Sequence, residues 1–163
     1  MAKKIKPQKE WPFFLAYHDA AYILRHNCSK EVSLYESGES PTYQFHNKSG
    51  KEIVVYKIDG GIINNDDVLK CDNGVYTEND SLYLIELKGA DLNHALDQIN
   101  STIDFLIKRP SIKIKRLNAR IVLSRVSIPR ITASKENKLK QLLHKSYGGG
   151  DYKKQSQVLE DTI

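Results

Sequence analysis

The apolar positions of this chain fall into runs with distinct periods. Leu82, Tyr83, Leu84, Ile85 and Leu87 form a nearly unbroken apolar stretch, and a strand apolar on both faces is a buried strand. Residues Ser81 to Lys88 are therefore read as a core strand. Upstream, Val68 to Tyr76 predicts its hairpin partner, with the polar Thr77-Glu78-Asn79-Asp80 as the turn. Tyr43 to Phe45 and the β-branched Glu52 to Ile58 predict two further strands, the second closed by Gly60-Gly61. Ser37 to Pro41 is a turn-rich break.

Helical spacing appears in three places. Phe13, Phe14, Tyr17, Ala21 and Leu24 would share one side of a helix over Phe13 to Arg25. Asp91 is a good N-cap for a helix whose Leu92, Leu96, Ile99, Ile103 and Leu106 face inward, with Pro110 as its stop. After a strand over Leu117 to Val126, Thr132 to Tyr147 predicts a basic helix ended by Gly148-Gly149-Gly150. Residues 1–10 and 148–163 read as flexible ends. The order is αβββαβ with a closing helix. It predicts an α/β fold, a central mixed sheet flanked by helices.

Length and composition fit that picture. A chain of 163 residues, 40% hydrophobic, is large enough for one domain spanning 1–163 with its own core. No apolar run approaches the ~20 residues of a membrane helix, so no membrane partner is expected. The basic Met1 to Glu10 lacks an apolar stretch of the secretory kind. Two cysteines, Cys28 and Cys71, are too few for a disulfide framework or a zinc knuckle. A cytoplasmic location is the default expectation.

Charge changes the picture more. Lys108 to Tyr147 holds 12 Lys/Arg and one acid, Glu136. Glu31 to Asp104 holds 14 acids and 5 Lys. An acidic centre beside a basic flank suits a metal site next to a phosphate-binding surface. A solvated basic helix and strand is the alternative.

The candidate chemistry lies at the end of the buried strand. Glu86 and Lys88 are two apart and share a face. Burying them is costly unless they have partners. Counting back from the centre of the turn places Asp72 opposite Ile85, next to Glu86, and cross-strand neighbours sit ~5 Å apart. Two close carboxylates repel, and a divalent cation relieves the repulsion. Oxygen ligands favour Mg²⁺ or Mn²⁺ over zinc. Such an ion lowers the pKa of a bound water and neutralises charge on a phosphodiester. Lys88 would orient that water or stabilise the phosphorane charge.

Residues 70–76 (KCDNGVY) and 81–103 (SLYLIELKGADLNHALDQINSTI) resemble the PD-(D/E)XK nuclease superfamily, the restriction-endonuclease-like fold, and in particular its small bacterial ELKG-type members. The likeness is good over about Lys57 to Leu106 and elsewhere follows only element order. Cys71 stands where the motif has its proline. The resemblance implies that Asp72 and Glu86 bind the metal, with the Leu87 carbonyl as a third ligand. It makes Lys88 the catalytic lysine and has Gln98 contact the nucleic acid or the attacking water. The expected activity is metal-dependent hydrolysis of nucleic acid, DNA ahead of RNA.

Several assignments have rivals. Asp72-Asn73-Gly74 is also a normal turn composition. Asp59, before Gly60-Gly61, is the rival or additional ligand. Asp19 and Glu36 could supply an acid from before the sheet. Asp66 and Asp67 fit an exposed loop, and His94 a surface or capping position. Trp11, Phe13 and Phe14 fit the core better than a stacking surface.

Arg116 and Arg120 share a face of their strand and could follow a phosphate backbone together with Arg125, Arg130 and Lys138. A charged, solvent-facing edge strand is the alternative. Cutting both strands of a duplex takes two such domains, which admits a homodimer. A catalytically inactive nucleic-acid-binding protein, or an accessory interaction subunit with the same fold, remains the other reading.

Overall fold

Antiparallel pairing of short strands builds most of the central sheet. The computed structural model describes residues 11–88, 90–125 and 132–163. Strands β4 (Ile53–Lys57), β5 (Asn73–Thr77) and β6 (Ser81–Lys88) form a meander, Asn73 opposite Ile85 and Lys57 opposite Asn73. Helix α2 (Leu92–Ile103) then carries the chain back to β7 (Arg116–Leu123), which lies parallel to β6. With β1 (Ile23–Asn27) and β8 (Tyr152–Ser156), the six-stranded mixed sheet runs β1-β4-β5-β6-β7-β8.

The two faces of that sheet are covered differently. Leu82, Leu84, Leu117, Ala119 and Ile121 bury against Leu92, Leu96, Ile99 and Ile103 of α2, and against Leu139 and Leu143 of α3 (Ala133–Ser146). On the other face Val55, Val75, Ile85, Leu87 and Val122 bury against a second sheet. That sheet has the order β2-β3-β9, formed by β2 (Glu31–Tyr35), β3 (Thr42–His46) and β9 (Val158–Thr162). The buried strand expected at 81–88 is thus apolar on both faces because each face meets a different layer.

The α/β class with a mixed sheet and flanking helices is as expected, and the departures have local causes. The helix expected over Phe13 to Arg25 is only α1 (Pro12–Ala16). Asp19 accepts the Ala21 N–H at 2.8 Å and caps a short 3₁₀ turn, after which Ile23 pairs with β4. Phe13 packs on Tyr56 and Tyr76 in the core, as expected of it. The strand expected from Val68 begins only at Asn73, because Asp67 to Cys71 is loop.

Residues 148–163, expected to be flexible, hold β8 and β9, both parallel to their neighbours. Their sequences, YKKQS and VLEDT, carry too few apolar residues to announce strands. Residues 1–10, and the part of the expected 117–126 strand beyond Arg125, lie outside the described residues. Among the described residues no helix is long and apolar enough to cross a membrane.

Candidate functional site

The C-terminal ends of β6 and β7 meet the end of β4 and the start of β5. In α/β sheets the carboxyl ends of parallel strands are where ligands bind, and here that edge collects carboxylates. Asp72 immediately precedes β5. Its carbonyl accepts the N–H groups of Ile58 at 2.9 Å and Asp59 at 3.3 Å. Its Oδ2 accepts the Leu87 N–H at 2.7 Å. The side chain thereby extends the β5–β6 ladder by one rung. A strand residue exposes its N–H and C=O on the same side, so the Leu87 carbonyl leaves β6 toward Asp72.

Continuing the observed register past Asn73–Ile85 places Asp72 opposite Glu86, one residue nearer than the turn count put it. The hairpin loop is Glu78–Asp80, three residues, with Asp80 in the left-handed region at φ 58°. The Asp80 carboxylate locks it by accepting the Tyr76 hydroxyl at 2.6 Å and the Lys115 N–H at 3.0 Å.

Two more acids approach Asp72. Burial, and then the negative charges of Glu36 and Asp59, push its carboxyl up to about 7, against the pull of the Leu87 N–H. Glu36 comes from the loop after β2, and Asp59 from the loop after β4. The choice between Asp59 and Asp72 therefore does not arise as a choice: Asp72 is the anchored acid and Asp59 is its neighbour.

Glu86 is 2% exposed. Burial raises the Cys71 thiol well above its usual range, and the charges of Glu86 and then Asp72 add to the effect. Cys71 therefore sits among both carboxylates. Lys88 closes β6 in register with Leu123, and its side chain, like Gly89, lies outside the described residues.

Helix α2 fixes this segment from behind. Gln98 Nε2 donates to the Lys70 carbonyl at 3.0 Å. Thr102 Oγ1 accepts the Cys71 N–H at 2.8 Å and donates to the Gln98 carbonyl at 2.7 Å. The Gln98 amide nitrogen, expected to reach nucleic acid or water, is thus engaged with the main chain two residues before Asp72. It positions the acid.

Lys70 borders the same edge. Its side chain is 10% exposed, and Nζ donates to the Asn65 carbonyl at 2.8 Å, with Asp59 at 3.8 Å and Asp66 at 3.9 Å. It pins the 59–70 loop and places a cation beside the acidic edge. Nothing in the sequence around Lys70 marks it as buried. Asp66 and Asp67 are exposed in that loop, as expected.

Among the described residues the expected basic residues are not brought together on one surface. Arg120 is 2% exposed; it pairs with Asp161 at 2.5 and 3.1 Å and with Asp151 at 2.8 Å, and lies over the Tyr83 ring. A guanidinium so enclosed cannot reach a phosphate, so its assignment to nucleic acid is corrected to a tie between the two sheets. Arg116 is exposed at the opposite end of β7, its Nε 3.3 Å from Asn118 Oδ1. Arg125 is exposed just past β7, at the acidic edge, and Lys138 is exposed on α3. Arg130 lies outside the described residues.

Among the described residues no three His, Cys, Asp or Glu groups are already drawn together as metal ligands. What the edge offers is a set of carboxylates held near one another at a cost in repulsion. Such a set can take up a hard cation, and Asp72, with its carboxyl near 7, can also exchange a proton near neutrality. No protein-family model matches the chain, and no curated protein or solved structure matches it either.

Proposed function

We propose that the chain is a metal-dependent nuclease, hydrolysing phosphodiester bonds of DNA ahead of RNA, with a restriction-endonuclease-like core. The observation that carries the reading is Asp72, fastened to the Leu87 N–H opposite Glu86, with Glu36 and Asp59 beside it. The βββαβ order from β4 to β7 agrees with the resemblance stated from sequence.

The residues fit a hard divalent ion. The carboxyl of Asp72 is raised first by burial and then by the charges of Glu36 and Asp59, and a Mg²⁺ or Mn²⁺ ion beside it would favour the carboxylate against both. Asp72 and Glu86 would hold the ion with the Leu87 carbonyl, and Glu36 or Asp59 would bear on it or on its waters. When bound, the ion supplies charge neutralisation at the phosphate and a more acidic water.

The chain does the rest. Gln98 and Thr102 keep Cys71 and Asp72 in register with β6. Lys88, by its place after Glu86, is assigned the charge that stabilises the phosphate as water oxygen bonds to phosphorus and the ester bond breaks.

The test is DNA cleavage with Mg²⁺ or Mn²⁺ by the wild type, Glu86→Ala and Lys88→Ala, each verified as folded. Cleavage by the wild type and its loss in both variants is the expected result. Equal cleavage by all three proteins overturns the assignment. Wild-type binding of DNA without any cleavage would favour the inactive nucleic-acid-binding reading.

A further inference from the structure

A groove of about 710 Å³ runs between α3 and β8, walled by Glu136 and Lys140 on one side and by Tyr152, Lys153, Lys154 and, from β9, Glu160 on the other. Helix α3 and strand β8 together carry six lysines and one glutamate, a net of five positive charges. That equals the formal net charge of the whole chain, so the rest of the protein sums to zero. Three of those lysines, Lys140, Lys153 and Lys154, line the groove beside Glu136 and Glu160, and the other three, Lys135, Lys138 and Lys145, lie elsewhere on α3.

The lysines remain available there. Lys154 pairs with Glu136 at 2.9 Å and Lys153 with Asp161 at 3.2 Å, yet their side chains are 43% and 50% exposed. Lys140 is exposed, its Nζ 5.8 Å from the centre of the Tyr152 ring. These contacts orient the ammonium groups without removing them from solvent. Strand β8 is the edge of the six-stranded sheet and runs parallel to β7 and β6. Its C-terminal end therefore points to the same edge as Glu86, two strand widths or ~10 Å away.

We infer that this groove holds the phosphate backbone of a nucleic-acid strand whose neighbouring segment reaches the Asp72–Glu86 edge. The destination of the strand rests on the nuclease reading, whereas the occupant of the groove rests on its own charge. Lysines spaced along a polar groove match a phosphate backbone, which binds chiefly through ion release. An added peptide strand at the β8 edge would instead need pockets for alternate side chains, and the exposed middle of β8 offers Lys153, Lys154 and Gln155.

The experiment measures binding of a short labelled single-stranded DNA, without divalent metal, across a range of salt. The proteins are the wild type, Lys140→Ala/Lys153→Ala, and a control of equal charge loss at exposed Lys48 and Lys113 (Lys48→Ala/Lys113→Ala). The groove variant is expected to bind about tenfold or more weakly at low salt, with a salt slope lower by about 1.4. The control is expected to stay near wild type. Equal affinities in the groove variant and the control, or no wild-type binding at low salt, overturn the inference. A wild type that binds through the groove but does not cut overturns only the nuclease reading. One that cuts, with a groove variant that binds like the control, overturns only the groove.

Discussion

Asp72 and Leu87 are joined by a side-chain-to-backbone hydrogen bond of 2.7 Å that adds a rung to the β5–β6 ladder. The bond fixes the carboxylate at the strand end where Glu86 is buried. Against the pull of that bond, burial and then the neighbouring Glu36 and Asp59 favour the protonated form of the acid.

Stability of the metal-free protein should therefore fall as pH rises. Asp72 is raised from 3.8 to about 7, so between those values the folded state holds a proton that the unfolded chain releases. The penalty grows through that window and reaches at most roughly 4 kcal/mol above it. Urea unfolding with chelator at about pH 5 and about pH 8 should show the loss in the wild type and a flatter dependence in Asp72→Asn. Parallel profiles in the two proteins would rule out Asp72 as the source. Asp161 acts in the opposite sense: the Arg120 guanidinium more than offsets the effect of burial and holds its carboxyl low, so its contribution is lost only in acid.

Arg120→Ala should destabilise the protein by about 3–5 kcal/mol, because it leaves Asp161 buried without its main partner. Nucleic-acid affinity should stay near that of wild type under conditions where the variant is folded. A stable variant with sharply weaker nucleic-acid binding would restore Arg120 to the binding surface.

Gln98→Ala removes the bond to the Lys70 carbonyl and should cost ~1 kcal/mol of stability. Cleavage should slow by about tenfold to a hundredfold without vanishing, the range for outer residues that orient ligands. Complete loss of cleavage in a folded Gln98→Ala would make it a catalytic residue rather than a positioning one.

The strongly periodic middle of the chain was legible from sequence. The 81–88 strand, the Asp91 cap and α2 could be read because burial on both sides of the sheet imposes apolar runs, and Asp91 accepts the His94 N–H as a cap should. Asp72 was found by counting across a turn. The count missed by one residue because Asp80 adopts a left-handed backbone and shortens the loop. Sequence could name Glu36 and Asp59 as spare acids but could not bring them to Asp72, since loops from two sheets converge there. Arg120 looked exposed because its partners, Asp151 and Asp161, are far along the chain in a segment that read as flexible.

The assignment of Asp72 as the acid that works with Glu86 is tested most directly by Mg²⁺-dependent DNA cleavage in the wild type, Asp72→Asn and Asp59→Asn, each verified as folded. The wild type is expected to cut. Asp72→Asn is expected to lose on the order of a hundredfold or more, the size of losing several kcal/mol of charge stabilisation at the phosphate. Asp59→Asn should retain cleavage within about tenfold, as a neighbour rather than the anchored ligand. An inactive wild type, or Asp72→Asn cutting as fast as wild type, would contradict the account.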